Sequence, residues 1–127
     1  MGKEISKMNK STNNEEKISL VNKNLTHIDL VGNGWGERVK TLYLSNNNIW
    51  EIKNITQFPN LEHLSLSNNN ISSITNIRYL RDLPRLTHLS LEANPLTNHP
   101  LYQPYVYGNC LSLKILDQKP LSQPFHT

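Results

Sequence analysis

The 127-residue sequence predicts an α/β solenoid: short parallel β-strands on a concave face, short helical or 3₁₀ segments on the convex face, and a C-terminal helical cap. Three observations predict it. Blocks of leucine, asparagine and isoleucine recur at a nearly constant period, the signature of stacked repeats. Within each block the leucines alternate with polar residues, as a half-buried strand requires. After the last block the chain turns to proline, tyrosine and apolar residues at helical spacing, which suits a solenoid end that must be covered.

Residues 1–16 set Lys3, Lys7 and Lys10 against Glu4, Glu15 and Glu16 and read as a flexible leader. The opening "MGKEIS" fits M-G-x-x-x-[ST] through Gly2 and Ser6, so Gly2 is a candidate for N-myristoylation. One myristoyl chain binds membranes at only about 10⁴ M⁻¹, so attachment through Gly2 is expected to be weak and reversible. The repeat domain is expected over 17–121. It opens on a partial copy, Ile18, Leu20, Leu25 and Ile28, with Lys23 where later copies carry asparagine. The stretch "GNGWGE" from Gly32 to Glu37 has the composition of a phosphate loop but no helix pattern after it, and reads as a turn between repeats.

Three full copies follow. Val39, Leu42, Leu44, Asn47, Ile49 and Ile52 form the first. Leu61, Leu64, Leu66, Asn69, Ile71 and Ile74 form the second, and Leu86, Leu89, Leu91, Asn94 and Leu96 the third. The pattern L-x-x-L-x-L-x-x-N-x-L, at steps of roughly 22 and 25 positions, is that of leucine-rich repeats. One such unit cannot stand alone. Its few aliphatic side chains gain about 1.5–3 kcal/mol each, while ordering its backbone costs about 1–2 kcal/mol per residue. Stacking must supply the rest. Asn47, Asn69 and Asn94 are expected to turn inward as a structural ladder, pairing backbone groups left over where the strand bends. In the two "LSNNNI" stretches, Asn46 and Asn68 are expected on the concave rim and Asn48 and Asn70 in a solvated turn.

The return paths differ. "KNITQFPN" is short, whereas "TNIRYLRDLPR" places Ile74, Ile77, Leu80 and Leu83 at helical or 3₁₀ spacing and ends at Pro84. Arg78, Arg81 and Arg85 fall near its solvent side and read as a solvated face. The cap is expected over 94–121, with Tyr102, Val106 and Cys110 on one helical face and Leu113 and Leu116 resuming the strand pattern up to Asp117. Residues 122–127 are a tail.

Aligning the repeats assigns the exposed sheet face. Lys40, Tyr43 and Ser45 belong to the first strand, Glu62, His63, Ser65 and Ser67 to the second, and His88, Ser90 and Glu92 to the third. These ten are the candidate partner-binding residues, with Tyr43 the strongest anchor by residue type. His63 and His88 should lie about 5 Å apart on adjacent strands. With no third ligand evident they read as exposed polar residues rather than a metal site. No catalytic residue, metal ligand set or cofactor is expected.

Composition narrows the rest. The net charge of +3 is spread out rather than striped, so direct nucleic-acid binding is not expected. A lone cysteine, Cys110, forbids an internal disulfide and fits a reducing, intracellular and by default cytoplasmic setting. A monomer is expected when no partner is bound.

The repeats together with "NPLTNHPLYQPYV" and "LKILD" resemble the intracellular leucine-rich-repeat proteins that end in a dedicated cap. That class includes the nuclear type-1 phosphatase regulator, the spliceosomal A-prime protein and an axonemal dynein light chain. The resemblance covers Ile18 to about Leu121. It implies a non-enzymatic scaffold that binds a protein partner on the concave surface. Its alternatives are a ribonucleoprotein adaptor of the A-prime type, or a regulatory subunit of a phosphatase or of a ciliary or dynein assembly. It also admits a membrane-associated, ciliary or nuclear location. Two features depart from the pattern: Gln103 stands where the class usually carries arginine after the cap tyrosine, and there is no long acidic tail.

Overall fold

The structure is a computed structural model that describes residues 16–29 and 35–120. The Gly2 motif and the 122–127 tail lie outside these residues. Five short strands pair in parallel, each with its neighbour in sequence: β1 (Lys17–Ser19), β2 (Thr41–Tyr43), β3 (His63–Ser65), β4 (His88–Ser90) and β5 (Ile115–Leu116). Ile18, Leu42, Leu64, Leu89 and Leu116 stand in register across them and are all buried. Leu20, Leu44, Leu66 and Leu91 form the next inward row, also buried. The core is almost wholly aliphatic, with Phe58 its largest fully buried side chain.

The sheet has a sixth strand that the repeat pattern does not announce. β6 (Lys119–Pro120) folds back antiparallel onto β5. The two residues between them, Asp117 and Gln118, have φ of 53° and 66°. Two consecutive positive φ values are what a tight two-residue hairpin needs. Pro120 fits on this outermost strand, where it need not donate to a further ladder.

The asparagine at the strand bend stitches consecutive repeats together. Asn47 Nδ2 donates to Leu20 O and Leu44 O, each at 2.9 Å, while its Oδ1 accepts from the N–H groups of Lys23 and Leu25. Asn69 Nδ2 donates to Leu44 O and Leu66 O at 3.0 Å, and its Oδ1 accepts from Ile49 N. Asn94 repeats the arrangement with Leu66 O, Leu91 O and Ile71 N. Each asparagine therefore holds a carbonyl of its own repeat and one of the repeat before. Among the described residues no buried side-chain nitrogen or oxygen lacks a partner. Lys23 departs from the pattern in the first repeat of the described sheet, and its backbone N–H is instead held by Asn47 Oδ1 of the next repeat.

The convex side is built from 3₁₀ segments at Trp35–Arg38, Lys53–Gln57, Ile74–Asp82 and Pro95–Asn98. "GNGWGE" thus ends in a single 3₁₀ turn. Gly36 is needed there: a Cβ on it would lie 2.5 Å from the backbone oxygen of Gln57. The nine-residue Ile74–Asp82 segment is long for a 3₁₀ helix. With three residues per turn, Ile77, Leu80 and Leu83 fall in one buried line, while Ile74 at its start stays half-exposed.

Helix α1 (Tyr102–Asn109) closes the C-terminal end, placing Tyr102, Val106 and the following Cys110 in the core. Tyr102 Oη donates to Asp117 Oδ2 at 2.8 Å, and the other carboxylate oxygen accepts from Leu91 N at 2.7 Å. One side chain thus ties the helix to the last full repeat, next to where Asn94 ends the ladder.

Candidate partner-binding face

Alternation along each strand turns the leucines inward and leaves the residues between them on the open face. Register then sorts these into rows. Lys17, Thr41, His63, His88 and Ile115 form one row, and Ser19, Tyr43, Ser65 and Ser90 the next. Ser45, Ser67 and Glu92 follow just beyond the strands and are half-exposed. Lys40 and Glu62 lie one step before the strands. There the backbone still runs from repeat to repeat, with Glu62 N donating to Lys40 O and Thr87 N to Glu62 O. Lys40 and Glu62 therefore edge the face, and the other eight candidates occupy it.

The rings of His63 and His88 stack with centroids 4.1 Å apart and planes 10° from parallel. The register forces this, since the two residues are direct partners in neighbouring strands. Thr87 Oγ1 lies 2.9 Å from His88 Nδ1 and fixes that ring. Burial holds the His63 pKa below its usual value, and His88 and Lys17 push the same way against Glu62. His63 is therefore favoured neutral, and the stacked pair presents a flat surface. Stacked rings cannot close on one metal ion, and no group of three or more His, Cys, Asp or Glu among the described residues is placed to hold one.

Tyr43 stands beside a residue that repeat alignment passes over. Lys17 Nζ sits 5.7 Å from the centre of the Tyr43 ring, a cation over an aromatic face. The degraded first repeat hid Lys17 and Ser19, although the pairing of Ile18 with Leu42 places them on this face as surely as Thr41 and Tyr43. At the opposite end, Gln118 Nε2 donates to Glu92 Oε1 at 3.1 Å, so the hairpin after β5 extends the face. Small serines between Tyr43, the histidine pair and Glu92 leave a shallow surface with polar and aromatic contacts but no deep cavity. Chemically it can cover and orient a partner's side chains.

A further structural asparagine escaped the repeat reading. Asn76 is buried, its Oδ1 accepting from Ile52 N and its Nδ2 donating to Ser73 O. Asn54 stands at the matching position of the previous repeat and donates to Ile28 O. The matching texts "IKNI" and "ITNI" carry this second row.

Comparison with known proteins agrees with the geometry. The leucine-rich repeat family model matches residues 3–124. The U2 small nuclear ribonucleoprotein A′ of Neurospora crassa is 37% identical over 82 residues, which is 63% of this chain and 32% of that protein. A chain of the Drosophila melanogaster SNF/U2A′ complex superposes with a TM-score of 0.75 at 28% identity, over 85% of this chain and 62% of that one. The Mex67 leucine-rich-repeat domain of Chaetomium thermophilum superposes with a TM-score of 0.62 at 27% identity, over 72% of this chain and 64% of that one. The chain thus spans about a third of the curated relative and less than two thirds of either solved chain.

Proposed function

Because the chain belongs to the leucine-rich-repeat family, we propose that it is a non-enzymatic scaffold that holds a protein partner on its concave sheet. One observation carries the reading: the register gathers Tyr43, the stacked His63–His88 pair, Ser65 and Ser90 onto a single open face with no catalytic arrangement beside it. Such a face excludes water over aromatic anchors while its serines adapt to a partner's polar groups. The double variant Tyr43→Ala with His88→Ala removes both anchors from half-exposed positions outside the core. Affinity capture with the wild type should retain a protein partner that the variant loses, while the thermal midpoint of the variant stays near wild type. Retention by a folded variant would move the site to the convex face or an edge.

Within this reading the partner is itself an RNA-binding protein, in the manner of the A′-type relatives. The observation favouring it is that a U2A′ protein matches in sequence and a SNF/U2A′ complex in structure. On this view the chain works in an intracellular ribonucleoprotein setting and touches RNA only through its partner. Nuclease treatment of the captured complex should then release RNA and leave the protein partner bound. A partner lost along with the RNA would contradict it.

A further inference from the structure

The long 3₁₀ segment on the convex face carries a second feature that the concave reading does not use. A half-open groove of about 470 Å³ lies against it, lined by Thr75, Arg78, Tyr79, Arg81 and Asp82. Arg81 also borders a second hollow of about 540 Å³, whose apolar wall includes Pro84 and Leu111. The two hollows adjoin at Arg81, which lines both: Arg78 and Arg81 flank the first, and Pro84 and Leu111 the second. Leu111, 90% exposed, lines this second hollow and presents its side chain to solvent there. Arg78, Arg81 and Arg85 make no ion pair among the described residues.

The geometry of the segment sets the spacing of the charges. In a 3₁₀ helix residues i and i+3 eclipse, with a rise of about 2.0 Å per residue, so Arg78 and Arg81 stand in line about 6 Å apart. Alternate side chains on one side of an extended peptide stand about 6.6 Å apart. The two spacings match, and guanidinium groups favour carboxylates through paired hydrogen bonds. We propose that these adjoining hollows bind an extended acidic segment of another protein, with carboxylates at alternate positions on Arg78 and Arg81 and an apolar side chain beyond them against Pro84 and Leu111. A nucleic-acid backbone suits the pair of hollows less well, because the Pro84–Leu111 side offers nothing to a phosphate.

The site is independent of the concave face, and its test can fail separately. The probe is a fluorescein-labelled peptide that alternates glutamate and serine and ends in leucine, titrated with the full chain and read by anisotropy. Saturable binding is expected. It should weaken at least tenfold in Arg78→Glu/Arg81→Glu, severalfold in Leu111→Asp, and not at all in Tyr43→Ala/His88→Ala. All of these positions are exposed or half-exposed, so the variants should keep the wild-type thermal midpoint. Absence of saturable binding by the wild type, or binding untouched by the arginine pair, overturns the proposal. A uridine oligonucleotide that displaces the peptide at equal or lower concentration overturns it in favour of nucleic acid.

Discussion

Asn69 and Asn70 are adjacent and chemically identical, yet the fold uses them differently. Asn69 joins Leu44 O, Leu66 O and Ile49 N, whereas Asn70 is exposed and its backbone N–H, not its side chain, reaches Ile49 O. Removing the Asn69 amide strands several backbone groups, so Asn69→Ala should cost about 1–3 kcal/mol in urea unfolding and Asn70→Ala close to nothing. The repeat pattern makes that difference legible, since only one asparagine of each triplet aligns with Asn94. It says less about the first asparagine. Asn46 and Asn68 hold φ of 60° and 55°, the left-handed region that asparagine tolerates better than most residues, and Asn68 Nδ2 donates to Asn46 Oδ1 at 2.6 Å. A place on the rim therefore does not make them freely replaceable: their backbone, more than their exposure, restricts what can stand there. Ala93 takes the same conformation in the third repeat, with φ of 59°, although no asparagine marks it there.

At the scale of elements, convex turns and cap decide how the repeats stack. Gly36 sits where its turn meets the backbone of the next return path, and the atom it would strike cannot swing away. Gly36→Ala should lower stability by about 1–3 kcal/mol through overpacking, measured by urea unfolding. Sequence showed the glycines of this turn but not which one mattered, because the contact is with Gln57, far along the chain. The cap predicts a pH response. Burial raises the Cys110 thiol from 9.0 to about 11, partly offset by a hydrogen bond with Ser112. Burial, followed by the Asp117 carboxylate, raises the Tyr102 phenol far above its usual value. Both groups are favoured neutral in the fold: the Cys110 contribution is complete below pH 9 and is lost as pH rises through about 11, while the Tyr102 contribution begins to fall only as pH passes 10. The urea midpoint should fall between pH 8 and pH 11, and Cys110→Val should make the decline shallower. The helix itself was legible from Tyr102, Val106 and Cys110. The β6 hairpin was not, since Asp117–Gln118 lacks the glycine that usually marks a tight turn.

For the whole molecule, stacking converts a repeated text into a continuous surface, and the proposed function is a property of that surface. Most of the face could be read from alignment, because a period of two along each strand and a fixed register leave little freedom. Lys17 and Ser19 were missed because the first repeat is degraded and carries no asparagine to anchor it. From sequence, Arg78 and Arg81 read as part of a solvated face, because the hollow that Arg81 shares with Leu111 joins two segments distant in the sequence. The concave assignment can be tested by position-specific cross-linking. A photoreactive phenylalanine analogue is placed singly at Ser65, at Ser90 and, as a convex control, at Thr56 in the Lys53–Gln57 segment. Irradiation of the captured complex should join the partner to the chain from Ser65 and Ser90 and not from Thr56. Cross-linking from Thr56 with none from the two serines would contradict a partner held on the concave sheet.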